Sequence, residues 1–390
     1  MKHYSFDKPI NRAGTRTLKY DALKDRFGRS DLTPLWVADM EFEAPDFLRE
    51  AVQQRLNHPL YGYTLLPEGY WDTIAQWIAS HHGWQVRSEW MKFVPGVVRG
   101  IATVVNYLVA PDEKVIIQPP VYHPFRHVVL GNHRELVYNP LRETADHRYE
   151  MDFEQLESVI DDKCKLLILS NPHNPGGVVW SADTLRRLAA ICHRHGIYVI
   201  SDEIHCDLCL WGNRHVPFAT VSKEAAEISI TFGAPTKTFN FAGLISAYAI
   251  VPDDSLREGL YTWLAANEFD WPDLFGPIAT KAAFEQGETW RRELIAYLED
   301  NVRFVEDFFG KQLLDIRVWR PQASYLVWLD CRGLGLSHSQ LIDLFVNKAR
   351  LALNDGAIFG NEGSGFMRLN VGCPRSMLQP ALEQLKNACR

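Results

Sequence analysis

Residues 165–202 read KLLILSNPHNPGGVVWSADTLRRLAAICHRHGIYVISD. An apolar run from Lys165 to Ser170 ends in a loop with two prolines and two glycines, Asn171-Pro-His-Asn174-Pro-Gly-Gly177. Ser181 then stands ahead of apolar residues at helical spacing that reach His195, and Gly196 follows. Serine before and glycine after such a pattern are the usual caps of a helix. A second apolar run, Tyr198-Val-Ile-Ser-Asp202, comes next. Strands this continuously apolar belong in a mostly parallel sheet covered on both faces, so the reading is α/β.

The same rhythm extends to both sides. Lys114 to Gln118, Ile228 to Phe232 and Ser246 to Val251 read as further buried strands, and Gly96 opens a helix running to about Leu108. The last third changes character: a long helical pattern from about Trp290 to Phe309, strands at Ser324–Asp330 and Phe366–Val371, and a closing helix from Ser376. This predicts a large domain over 45–277 and a smaller α+β domain over 278–390. Residues 1–44 form an N-terminal arm that packs with the small domain or reaches across to a partner subunit.

Composition excludes several classes. A net charge of −7 provides no basic footprint for nucleic acid or an anionic membrane. No stretch approaches the roughly 20 apolar residues of a membrane helix, and the N-terminus lacks the apolar run of a secretory signal, so a cytoplasmic protein is expected. Seven scattered cysteines, an odd number, do not read as a disulfide framework. Cys206-Asp-Leu-Cys209 has metal-ligand spacing after His205, but no second ligand pair lies nearby, so buried thiols and no metal are expected. Twelve tryptophans and fourteen tyrosines point to large aromatic contact surfaces, including a subunit interface.

Four motifs carry chemistry. Asp202 ends its strand at the crevice where open α/β sheets bind ligands. A carboxylate buried there needs a cationic partner. Lys237, in Ala234-Pro-Thr-Lys237-Thr-Phe-Asn240, follows the strand ending at Phe232 in a turn of small residues. A lysine becomes a nucleophile when desolvated or condensed with an aldehyde. Asn174 offers an amide donor from its tight loop, whereas Asn171 reads as a turn asparagine capping its own backbone. Arg368, in Phe366-Met-Arg368-Leu-Asn370, carries the planar fork that suits a carboxylate. Around these, Gly96, Val97 and Val98 begin a helix whose free N–H groups suit a phosphate, with Thr236 adding a hydroxyl. Tyr122, in Pro119-Pro-Val-Tyr-His-Pro124, offers a ring for stacking. A Schiff-base amine, a ring-nitrogen partner, an oxygen partner and a carboxylate clamp are together what pyridoxal 5′-phosphate (PLP) requires.

These residues resemble the fold-type I PLP enzymes, the aspartate aminotransferase superfamily, and within it the MalY/PatB-type C–S lyases (cystathionine β-lyases). The resemblance runs from Trp36-Val-Ala-Asp-Met-Glu-Phe42 to Asn370-Val-Gly-Cys-Pro-Arg-Ser376. It implies Lys237 as the Schiff-base lysine, Asp202 at the pyridine nitrogen and Asn174 at the phenolic oxygen. It further implies Tyr122 stacked on the ring and Arg368 on the α-carboxylate of a small amino-acid substrate. Tyr63, in Tyr61-Gly-Tyr-Thr64, matches a tyrosine that reaches the phosphate of the neighbouring subunit, which implies a homodimer. His205, three after Asp202, stands where aminotransferases of this superfamily carry tyrosine. The loop with His173 and Gly176 and the acidic, aromatic segment Ala266–Phe275 depart from the usual pattern; the latter alters substrate preference if it lines the site. The implied reaction is β-elimination from a cysteine thioether such as L-cystathionine, giving pyruvate, ammonia and a thiol. An aminotransferase is the alternative, because the same residues serve both. No Gly-x-Gly-x-x-Gly follows any strand, which argues against a nucleotide-dependent oxidoreductase.

Overall fold

The protein, seen in a computed structural model, is described over residues 4–390. Its centre is a seven-stranded sheet. In chain order the strands are β1 (Met91–Val94), β2 (Lys114–Ile117), β3 (Glu135–Tyr138), β4 (Cys164–Ser170), β5 (Tyr198–Asp202), β6 (Ser229–Gly233) and β7 (Ala247–Ile250). Their spatial order is β1-β7-β6-β5-β4-β2-β3, and β7 alone runs antiparallel to its neighbours. The expected parallel core is therefore present, with one reversed strand inside it. Alternate residues of β4 divide between two cores. Leu166 and Ile168 join one with Val115, Ile200 and Ile230, while Leu167 and Leu169 join the other with Leu185 and Val199. That division is why Leu166 to Leu169 is a continuous apolar run rather than an alternating one.

Helices cover both faces. Helix α1 (Tyr70–His82) packs beside the sheet's antiparallel end, through Ile74 and Trp77 in a core shared with the C-terminal third. Helix α2 (Val97–Leu108) buries Ile101, Val104 and Val105 on one face, and α3 (Pro124–Gly131) adds Phe125 and Val129. Gly100 lets α2 press onto β6, since a Cβ there would stand 2.5 Å from Phe232. On the other face lies α4 (Ala182–Arg194), capped by Ser181, whose hydroxyl accepts from the Thr184 amide at 3.1 Å. Gly196 follows in the left-handed region (φ 65°), as the sequence predicted.

The long helix α5 (Glu288–Gln312) leads into a second, antiparallel sheet of β8 (Arg317–Trp319), β9 (Leu326–Asp330), β10 (Asn354–Asp355) and β11 (Phe366–Asn370), ordered β8-β9-β11-β10. Helix α6 (Arg375–Ala388) closes the chain. Thr33 and Pro34 pair in parallel with Leu351 and Ala352, so the N-terminal arm joins this second sheet's neighbourhood.

Asn171 departs from expectation. It does not cap its own loop: its side-chain amide donates to the Val216 carbonyl at 3.0 Å and toward Glu203 at 3.4 Å, tying the loop to a distant turn.

Candidate active site

The carboxyl ends of β4, β5 and β6 release three consecutive loops, 171–177, 203–205 and 234–237, into one cavity of about 270 Å³. Asn174, Asp202, His205, Thr236 and Lys237 line it, together with Gly96, Val97, Val98 and Tyr122. Residues that the sequence singled out across 142 positions therefore meet at one place.

Asp202 and Lys237 define the floor. Asp202 is buried, and a single bond from the Ile204 amide, 3.2 Å, reaches its side chain. Burial lifts its carboxyl to about 7, against the pull of the Ile204 N–H and the Lys237 charge. Glu203, next in sequence, is saturated instead: His215 Nε2 at 2.7 Å, the Ser201 hydroxyl at 2.8 Å and the Phe218 amide at 2.9 Å all reach it. Lys237 Nζ donates to the Ala38 carbonyl at 2.7 Å, and burial brings its amine down to about 8. Tyr325 donates to the same carbonyl at 2.9 Å.

Arg368 stands in β11 opposite Trp328 and Asn354. Its guanidinium donates to Asn174 Oδ1 at 2.9 Å, to Asn354 Oδ1 at 2.7 Å and to the Trp36 carbonyl at 3.1 Å. All of these acceptors are neutral. Its Nε is buried without a partner, and burial lowers the group to about 10. A buried cation held by amides alone is built to receive an anion. Because Asn174 Oδ1 is occupied, its NH₂ group is the donor left for the cavity.

Two further features complete the wall. Gly96 begins α2 at φ 106°, and no side chain caps that helix start, so its N–H groups remain for an anion. His205 Nδ1 lies 3.2 Å from the Ser324 hydroxyl, and burial, reinforced by Lys237 and Arg368, holds the imidazole neutral at about 3. Tyr122 is partly buried and lines the cavity beside Asn174.

Some expected residues lie elsewhere. Tyr63 is fully exposed, away from this chain's cavity, its ring 6.2 Å from Trp271. The acidic, aromatic segment 266–275 does not line the cavity; it sits beside Tyr63, with Asp270 paired to Lys92. Cys209 donates to the Cys206 carbonyl, and all seven cysteines are free. Ala38 and Trp36, which act through backbone carbonyls, carried no sequence signal beyond their place in Trp36–Phe42.

The donor set fits PLP. An unpaired buried carboxylate suits a pyridinium nitrogen, an uncapped helix start suits a phosphate, and a desolvated amine suits an aldehyde. Comparison with known proteins agrees. The family model "Aminotransferase class I and II" matches residues 33–385. Cystathionine beta-lyase PatB of Bacillus subtilis is 42% identical, covering 98% of this chain and 99% of its own length. Protein MalY of Escherichia coli is 34% identical, covering 99% of each. The crystal structure of cystalysin from Treponema denticola, which contains a PLP cofactor, superposes with a TM-score of 0.95 at 32% identity, covering 99% of each chain. The chain belongs to the class I and II aminotransferase family, and its cofactor is PLP.

Proposed function

We infer that the protein is a PLP-dependent C–S β-lyase that cleaves L-cystathionine or a related cysteine thioether to pyruvate, ammonia and a thiol. The observation that carries this reading is the 42% identity with a cystathionine β-lyase across 98% of the chain, over a span that includes every residue of the cavity.

When bound, PLP supplies an aldehyde that captures the substrate's amino group and a ring that accepts the electron pair left at the α-carbon. The chain's residues do the rest. Arg368 holds the α-carboxylate in its fork, oriented by Asn174, Asn354 and the Trp36 carbonyl. Asp202 would keep a positive charge at the ring nitrogen of bound PLP, and the Asn174 NH₂ would donate to its phenolic oxygen. Lys237, with its amine near 8, is a base of suitable strength for the α-proton. The Cβ–S bond then breaks, the electron pair leaves on sulfur, and the Lys237 ammonium can return the proton to the thiolate. The three-carbon remainder hydrolyses to pyruvate and ammonia. His205 adds no charge to this field, because it stays neutral.

The active unit we propose is a homodimer in which Tyr63 reaches the partner's cofactor phosphate. The support is a run of exposed large side chains, Leu60, Tyr61, Tyr63 and Leu65, with Tyr63 against the exposed Trp271. The domain division 45–277 against the remainder is likewise a proposal, supported by the arm's pairing with Leu351 and Ala352. We place the protein in the cytoplasm on its free thiols; among the described residues no helix is long and apolar enough to cross a membrane.

The test is incubation of the PLP-loaded enzyme with L-cystathionine and no keto acid. Equimolar pyruvate and thiol support the reading. No pyruvate, but conversion of an added keto acid to its amino acid, makes the protein an aminotransferase.

A further inference from the structure

Outside the cofactor cavity, the described residues bring together one group of side chains with metal-type donors. These are His82, Cys206 and Asp207, whose ligand atoms all stand within 4.8 Å of one another. His82 ends α1, and the other two open the turn after β5, just beyond His205. In the sequence, Cys206-Asp-Leu-Cys209 has no second ligand pair near it. The fold supplies what the chain order hides. His82 Nε2 arrives from 125 positions away and lies 2.9 Å from Asp207 Oδ1. Cys209, by contrast, turns its thiol to the Cys206 carbonyl at 3.4 Å and stays out of the group.

A fourth donor stands beside them. The His215 ring centre lies 5.2 Å from that of His82, with the two rings nearly perpendicular at 88°. The His215 side chain is 0% exposed. Its Nε2 donates to Glu203 Oε2 at 2.7 Å, while its Nδ1 is buried without a partner. An orphaned ring nitrogen in the interior costs free energy until something fills it. A histidine whose far nitrogen is fixed by a carboxylate is oriented as metal-binding histidines are. Asp207 is steadied in the same way from outside, by the Trp77 indole N–H at 2.9 Å and the Thr238 hydroxyl at 3.2 Å. His82 and Cys206 are only partly buried, which leaves an ion a way in.

We propose that His82, Cys206, Asp207 and His215 form a structural site for a thiophilic divalent cation of the zinc type. One thiolate, two imidazoles and one carboxylate suit tetrahedral zinc and do not suit calcium or magnesium, which prefer oxygen alone. On binding, the ion takes the place of the His82–Asp207 hydrogen bond, the Cys206 thiol releases its proton to solvent, and His215 Nδ1 gains a partner. The protein fills all four positions, so the ion braces the fold and takes no substrate. Its place lies behind the cofactor cavity. Cys206 follows His205, and Thr238, which holds Asp207, follows Lys237. The ion therefore ties α1 to the turns that carry those two cavity residues.

The test uses tag-free, PLP-loaded wild type and Cys206→Ser, each exposed to zinc and then desalted. Elemental analysis of the wild type should find one zinc per chain. X-ray absorption at the zinc edge should show one sulfur neighbour at about 2.3 Å, with nitrogen and oxygen neighbours at about 2.0–2.2 Å. Cys206→Ser should bind zinc roughly 100-fold more weakly, since loss of even an outer partner costs about 10–100-fold. Zinc should also raise the wild-type Tm by about 2 °C or more and leave that of the variant unchanged. Serine is close to cysteine in size, and an unaltered visible PLP spectrum reports that the variant has folded. If it has not, X-ray absorption of the wild type decides alone. Failure of the wild type to retain zinc, or bound zinc without a sulfur neighbour, would overturn the site. Equal retention by both proteins would also overturn it, and would mark an adventitious ion only.

Discussion

Asp202 and Glu203 are consecutive, and both are buried, yet Glu203 accepts from His215, Ser201 and the Phe218 amide while Asp202 accepts from the Ile204 amide alone. Asp202 ends β5 and Glu203 opens the loop after it, and the two side chains turn to different surroundings. Glu203 is finished by the fold, and Asp202 faces the cavity unpaired. Of two adjacent carboxylates, only one is available for a cofactor.

That difference has a pH signature. In the cofactor-free chain Asp202 has a pKa raised to about 7, so folding favours its protonated form. Its contribution to stability is fully present at low pH and is lost as pH rises through about 7. Asp202→Asn removes the loss. The cofactor-free variant should gain about 2 °C or more in Tm over wild type at pH 8, and much less at pH 5. The same variant should bind PLP more weakly. Equal differences at both pH values would contradict the burial argument.

Arg368→Lys keeps the charge and removes the fork. With Asn174 and Asn354 arranged for two nitrogens, the lysine cannot make both bonds and still present a pair to the carboxylate. A loss of about 100-fold in kcat/KM is expected, borne mainly by KM. Steady-state kinetics at saturating PLP measures it.

Tyr63→Ala should leave each subunit folded, since the side chain is fully exposed. In the dimer it should speed cofactor loss, read as the rate at which the visible absorbance decays on dilution. Sedimentation of the wild type should give a particle of twice the 44.7 kDa chain. A monomer that retains PLP as well as the dimer would contradict the shared site.

Much of this was legible because burial leaves marks on composition. The strands β4, β5 and β6 stand out since both faces are covered, and their central positions are apolar without alternation. Two strands of the central sheet were not legible, nor were the short β8 and β10 of the second sheet. β3 is an edge strand with Glu135 and Tyr138 exposed, and in β1 Lys92 interrupts a four-residue run. The cavity residues could be read where a side chain has a chemical reason to be there, as with Lys237, Asp202 and Arg368. The Ala38 and Trp36 carbonyls could not, because a backbone acceptor leaves no residue-type signature. Asn171 was misread for a related reason: its partner Val216 is a carbonyl 45 positions away. The exposed Tyr63 stretch shows the reverse case, a sequence signal that this chain's own cavity does not use.

Lys237 is the amine proposed to hold the cofactor in this cavity. The direct measurement is reduction of the PLP-loaded enzyme with borohydride, followed by proteolysis and mass mapping of the pyridoxyl group. Lys237→Ala serves as the control, expected to stay folded and lose activity at least 1,000-fold, on the order of a catalytic base or nucleophile. A single pyridoxyl group is expected, on Lys237, and none in the variant. A label on any other lysine, or full turnover by Lys237→Ala, would contradict it.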